Sequence, residues 1–396
     1  MIVAAVAVAV GVLYNRGAFR PKGPPGSPER AIAERCRPKP RDQQQDCYLE
    51  ALEARIAQGG VAATMATLKA LAANDPRVDR AGHVYAHGVG IKAYLHFNDV
   101  PSTFGQCPTI FASGCGHGVI QAYLQSQESL DSAAVNALCA PYRGPDVSQW
   151  QLFQCVHGTG HGLVMMNGGD LPAALTTCDQ LQSGWDRDSC YGGAFMENIM
   201  EATAPHHPAS ELAASHAHHQ AFKAIDSTDL LYPCSIVAER YHRSCYEIQT
   251  AAIFKLTKGK IGKASAACDT APESMRPTCY SSLGRDISSR ARRDPDRSRK
   301  FCDQTGETNR PWCYFGAAKA LIDWEADPKA GLAFCGRLEW KRGTALCYRA
   351  VGEQVAALFP KFPDRESACR VAESEKAVAA CRWGAMIPGS TEVVDL

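Results

Sequence analysis

The chain has no surplus of charge of either sign. Its 42 Lys and Arg face 41 Asp and Glu, a formal net charge of +1, so nothing electrostatic argues for a nucleic-acid partner. C-x-x-C pairs are absent, which removes the usual thiolate metal clusters, and so is C-x-x-C-H, which removes covalent haem. No Walker loop, dinucleotide fingerprint or G-x-S-x-G occurs, and without H-E-x-x-H a zincin protease is excluded on motif. The N-terminal apolar run, residues 1–14 (MIVAAVAVAVGVLY), is short for a membrane span: as a helix it covers about 21 Å against a hydrocarbon core of ~30 Å. No basic n-region precedes it and no clear A-x-A cleavage site follows it before the charges. It is read as a signal anchor, with a cleaved signal peptide as the alternative, followed by a Pro-rich linker over residues 15–45.

What is present in abundance is cysteine: 18 residues, far too many for a reducing cytosol. In order they fall into nine local pairs: Cys36 with Cys47, Cys107 with Cys115, Cys139 with Cys155, Cys178 with Cys190, Cys234 with Cys245, Cys268 with Cys279, Cys302 with Cys313, Cys335 with Cys347, and Cys369 with Cys381. The second members of the last five pairs stand at 245, 279, 313, 347 and 381, each 34 residues after the one before. A fixed period of this size marks a solenoid. Each second cysteine opens a segment with helical apolar spacing, such as Val351, Val355 and Leu358. Asp294-Pro295 and Asp327-Pro328 place a capping aspartate before a proline at the first helical position. Each unit therefore reads as a helical hairpin whose connection is bracketed by cysteines; local pairing, expected over cross-repeat pairing or free buried thiols, would close each loop for about 3 kcal/mol. The fold class expected is all-α: a disulfide-stapled α-solenoid of about nine helical hairpins.

With its 34-residue helical hairpin, the C-terminal half resembles the tetratricopeptide class of α-solenoid. The resemblance is architectural only. The W-x-x-L-G-x-x-Y signature is missing, so no peptide-binding groove is implied.

The regular repeats occupy residues 234–384, and the tail follows at 385–396. Residues 46–200 are irregular, and they hold the histidines whose spacing is unusual. His83 and His87 are four apart, as are His157 and His161; His117 stands two residues after Cys115, as His157 does after Cys155. On a helix, positions i and i+4 share a face about 5–6 Å apart, a spacing at which two imidazoles can grip one ion. Equivalent positions of stacked repeats face the same way, so the five histidines are expected to converge on a concave surface, with Glu197 beside them. Ten glycines crowd the same segments: Gly82, Gly88, Gly90, Gly116, Gly118, Gly158, Gly160, Gly162, Gly192 and Gly193. At about 0.5–1 kcal/mol each in a helix, they point to unusually close helix packing or to a ligand approaching the backbone.

These features lead to an extracytoplasmic protein, periplasmic or at the cell surface, either anchored at its N-terminus or secreted. His83, His87, His117, His157 and His161 are its candidate metal ligands. Zinc stands first among the ions imidazole suits, with copper or iron as alternatives. Three functional classes remain open. One is a metal carrier or sensor, and another a metal-dependent hydrolase or oxidoreductase with Glu197 as candidate base. The third is an interaction scaffold with structural histidines, taking a protein or small molecule in its concave face. The only membrane contact expected is the anchor. Residues 201–233 form a His-rich insertion (His206, His207, His216, His218, His219) that could act as a flap. Arg285 and Asp286 read as an exposed ion pair, and the run from Arg290 to Lys300 as a solvated helix end.

Overall fold

An aspartate just ahead of a proline starts many of the short helices. In the computed structural model, which describes residues 24–127, 130, 132–203, 222–338 and 343–393, Asp75, Asp99, Asp170, Asp294 and Asp327 each accept a bond from a backbone N–H two or three residues ahead. Proline sits at one of the first two helical positions after each of them. The carboxylate satisfies an amide that has no helical partner, and the proline ring fixes φ at a helical value.

The helices are α1 (Pro28–Cys36), α2 (Arg41–Asn74, interrupted at Gly60), α3 (Pro76–Arg80), α4 (Gly82–Phe97), α5 (Val100–Gly105), α6 (Gly114–Gln125) and α7 (Ser132–Leu138). They continue with α8 (Gln149–Met166), α9 (Leu171–Cys178), α10 (Gly184–Thr203), α11 (His242–Tyr246), α12 (Thr250–Leu256) and α13 (Ile261–Asp269). The last are α14 (Arg276–Arg290), α15 (Pro295–Cys302), α16 (Arg310–Glu325), α17 (Pro328–Cys335), α18 (Thr344–Leu358), α19 (Phe362–Cys369) and α20 (Glu375–Gly384). Among the described residues there is no strand. The fold is an all-α, disulfide-stapled helical repeat.

All nine expected disulfides form, with Cα–Cα distances of 5.5–5.8 Å. From Cys268 onward each one ties the end of a short first helix to the opening of the longer second helix. A second tie lies beside several of them. The tyrosine after the second cysteine donates its hydroxyl to the aspartate after the first: Tyr191 to Asp179 (2.5 Å), Tyr280 to Asp269 (2.8 Å) and Tyr314 to Asp303 (2.5 Å).

The second helices pack side by side as an inner layer, and glycine sets how closely. Four adjacent pairs meet through reciprocal glycines: Gly90 and Gly118 join α4 to α6, Gly160 and Gly193 join α8 to α10, Gly284 and Gly316 join α14 to α16, and Gly352 and Gly384 join α18 to α20. A Cβ built on any of these eight would collide with a backbone carbonyl of the partner helix, such as that of Cys190 for Gly160 or His157 for Gly193. The Cα–H bonds therefore point at carbonyls, a weak contact worth about 0.5–1 kcal/mol. This offsets the conformational cost of glycine in a helix. Because the regular repeats do the same, close packing belongs to the fold rather than to the histidines.

The repeats curl until the second limb meets the first. Phe111 packs edge-on to Trp324 with ring centres 5.5 Å apart. The Arg293 guanidinium lies 3.9 Å from the Trp324 ring centre and also pairs with Asp79. Lys69 with Glu325 (3.8 Å) and Lys361 with Asp146 (3.5 Å) add surface pairs across the seam, and α8 packs against α18.

Several expectations are corrected here. Within the linker of residues 15–45, Pro28 opens α1, whose Ile32, Ala33 and Cys36 bury one face, and Arg41 opens α2 after a four-residue turn. Arg293 is not at a solvated helix end: it stacks on Trp324 of its own limb and pairs with Asp79 of the other. Arg285 and Asp286 are only partly exposed, since Arg285 donates to the Glu247 carbonyl (2.7 Å) and Asp286 accepts from Thr250 (2.7 Å). The apolar segment at 1–14 and the five histidines at 206–219 lie outside the described residues. Among the described residues no helix is long and apolar enough to cross a membrane.

Candidate metal centre

Four neighbouring inner helices supply the candidate residues: α4 carries His83 and His87, α6 carries His117, α8 carries His157 and His161, and α10 carries Glu197. The sequence CVHGTGHGLVM places glycine on both flanks of α8. Gly160 meets the backbone of α10. On the other side, Gly158 faces Ile120 and the His117 Cα, while Gly162 faces Leu124, both of α6. With no side chains to hold the helices apart, imidazoles from three helices reach one another.

They meet in a single cluster. Ring centres are 6.0 Å apart for His83–His87, 5.6 Å for His83–His117, 6.3 Å for His87–His117 and 6.2 Å for His87–His161. They are 5.3 Å apart for His117–His157, 5.3 Å for His117–His161 and 5.0 Å for His157–His161. All five expected histidines are brought together. The cluster is not on an open concave face, however. His87, His117, His157 and His161 are 0%, 3%, 4% and 0% exposed, and His83 alone is partly open. The physical reason is the returning second limb, which covers that face; Arg285 of α14 is close enough for its charge to act on His157.

Four of the rings are held by one nitrogen. His83 Nδ1 donates to the Phe111 carbonyl (2.8 Å) and His161 Nδ1 to the Glu197 carboxylate (2.7 Å). His117 Nε2 donates to Gln154 Oε1, and His157 is bonded to the Ser189 carbonyl. Each partner is an acceptor, so each fixes which nitrogen carries a proton, and in the neutral ring the other nitrogen carries the lone pair. For His117 and His157, Nδ1 is buried with no hydrogen-bond partner among the described residues. Burial drives the pKa values of His117 and His157 well below 6.5, and neighbouring imidazoles lower them further. His83 is lowered by burial too, against the pull of its bond to Phe111. Burial therefore favours the neutral form of His83, His117 and His157.

Among the described residues, no three His, Cys, Asp or Glu side chains bring their donor atoms together as a ready metal-holding group. The rings are adjacent; their nitrogens do not meet at one point. Gln154 was not singled out from the sequence. It opens no motif, and its only signal is lying three residues, about one helical turn, before His157. Residue 222 of the insertion lies beside α10: Asn198, next to Glu197, donates to the Phe222 carbonyl (3.3 Å).

The site and fold define a class, a disulfide-stapled helical repeat protein with a buried histidine cluster. No family model matches the chain, and no match was found among curated proteins or solved structures.

Proposed function

We propose that this is an extracytoplasmic transition-metal-binding protein whose ion is held by histidines of adjacent helices. The observation that carries the reading is the set of five touching imidazoles, four of them already oriented by an acceptor on one nitrogen. That is the outer shell metal-binding histidines use, and a purely structural histidine needs no such convergence. Two ring centres on a tetrahedral ion stand about 5 Å apart with N–metal bonds of about 2.0–2.1 Å, so binding would require ring rotation rather than helix movement. A nitrogen-only set suits zinc first, with copper or iron as alternatives. Glu197, weighed from the sequence as a base, is read as the carboxylate that orients His161. Nine disulfides suit an oxidising compartment, and an N-terminal anchor would hold the protein there.

Elemental analysis of the oxidised full chain tests this, together with His157→Ala and His161→Ala. Near-stoichiometric metal that falls in both variants is expected. A folded wild type that takes up neither zinc, copper nor iron would leave the histidines as structural parts of a scaffold.

A further inference from the structure

The five rings form two triangles that share a corner. His83, His87 and His117 make the wider one, with centres 5.6–6.3 Å apart. His117, His157 and His161 make the tighter one, at 5.0–5.3 Å, the spacing two ligands of one tetrahedral ion require. The tighter triangle is wholly interior and is backed by Gln154 and Glu197. The wider one includes the partly exposed His83, which bonds the Phe111 carbonyl. Phe111 in turn packs on Trp324, and Gly82 lies under both. The wider triangle thus lies next to the seam between the limbs, with His83 as its one partly exposed member.

The shared residue sets a limit. Donation from His117 Nε2 to Gln154 leaves Nδ1 as its only lone pair. A neutral imidazole coordinates one ion at a time, so both triangles cannot hold three-histidine ions together.

Building on the metal-binding reading, we propose that the triangles are successive stations for one divalent ion of the zinc class. His83, His87 and His117 receive it at the seam, and His117 keeps hold while His157 and His161 replace His83 and His87. The step is a ligand exchange: the ion keeps its charge, and the protons on His83 Nδ1, His117 Nε2 and His161 Nδ1 stay with their acceptors.

Cobalt(II) serves as a visible probe with the metal-free, fully oxidised full chain, by equilibrium titration and by stopped-flow uptake. The expected stoichiometry is one per chain. For His83→Ala, the fall in uptake rate should exceed the fall in affinity; for His161→Ala the order should reverse, with affinity down at least 10–100-fold, the loss seen when even a supporting residue of a metal site is removed. His87→Gln repeats the first test with a side chain of similar length, and circular dichroism checks folding of each variant. Two equivalents of comparable affinity in the wild type would overturn the proposal, as would a His83→Ala variant that loads at the wild-type rate. If wild type binds neither cobalt nor zinc, the metal-binding reading itself fails, a result distinct from tight binding with unaltered loading.

Discussion

Replacing Gly160 by alanine puts the close-packing argument at risk. A Cβ there would lie 2.6 Å from the Ala194 nitrogen and nearer still to the Cys190 carbonyl. Ordinary contact begins near 3.4 Å, so α8 and α10 must separate by roughly 0.8 Å or more, backbone against backbone. Alanine gains about 1 kcal/mol of helix propensity. Against this stands overpacking of about 1–3 kcal/mol, with more where nothing can yield, plus a lost Cα–H contact. A net destabilisation of about 2 kcal/mol is expected, together with loosening of the His161–Glu197 bond that spans the same two helices. Gly158→Ala is the control: its Cβ would meet the Ile120 side chain at 3.3 Å and the His117 Cα at 3.4 Å, contacts a slight shift relieves. Chemical denaturation of both variants, monitored by circular dichroism with disulfides intact, gives the comparison. The reasoning is refuted if Gly160→Ala is as stable as Gly158→Ala.

Two further outcomes follow from the same structure. The folded pKa values of His117 and His157 are depressed by burial, so below the ordinary 6.5 the unfolded chain binds protons the folded chain refuses. Their contribution is complete above about pH 6.5 and is lost as pH falls toward the depressed values. The denaturation midpoint of metal-free protein should drop between pH 7.5 and pH 5, and His157→Gln should flatten that drop; an unchanged pH slope would contradict it. In the second limb, replacing Cys302 and Cys313 together by alanine reopens an 11-residue separation. It should cost about 2–3 kcal/mol with the histidine cluster's bound metal unaffected, as read by denaturation and metal analysis; a loss below 0.5 kcal/mol would speak against local loop closure as its role.

Much of the fold is legible because its punctuation is local. Cysteine spacing gave every pair, since each disulfide closes a loop of one hairpin, and Asp294-Pro295 and Asp327-Pro328 cap their helices as their chemistry demands. Convergence of His117 with His157 was readable from their shared offset after a cysteine. For α4 the cysteine count is silent. Tyr85 stands where a second cysteine would, with His87 two residues on and Gly90 five on, matching His157 and Gly160 after Cys155. The return of the second limb left no trace. Trp324 and Phe111 are 213 positions apart (324 − 111), and a long-range contact between two aromatics follows from accumulated curvature, which no local pattern encodes. Arg293 was misread for the same reason.

Register supplies the strongest argument that the histidines are not there for the fold. Counting from the second cysteine, His117 and His157 stand at +2, where the regular repeats carry Glu247, Ser281, Phe315, Arg349 and Trp383. His161 stands at +6, where they carry Ala251, Arg285, Lys319, Glu353 and Ile387. The glycines obey a different rule. Those at +3 or +5 occur in both limbs, and all of them except Gly158 meet a backbone carbonyl of the partner helix. Helix packing therefore dictates glycine and tolerates nearly any side chain at +2 and +6. Burying several neutral imidazoles where other units place a carboxylate, a guanidinium or an aromatic ring leaves His117 and His157 Nδ1 without a hydrogen bond. Such orphaned polar atoms cost about 1–3 kcal/mol each, a burden the same backbone avoids elsewhere by other residues, and one that a bound cation would relieve.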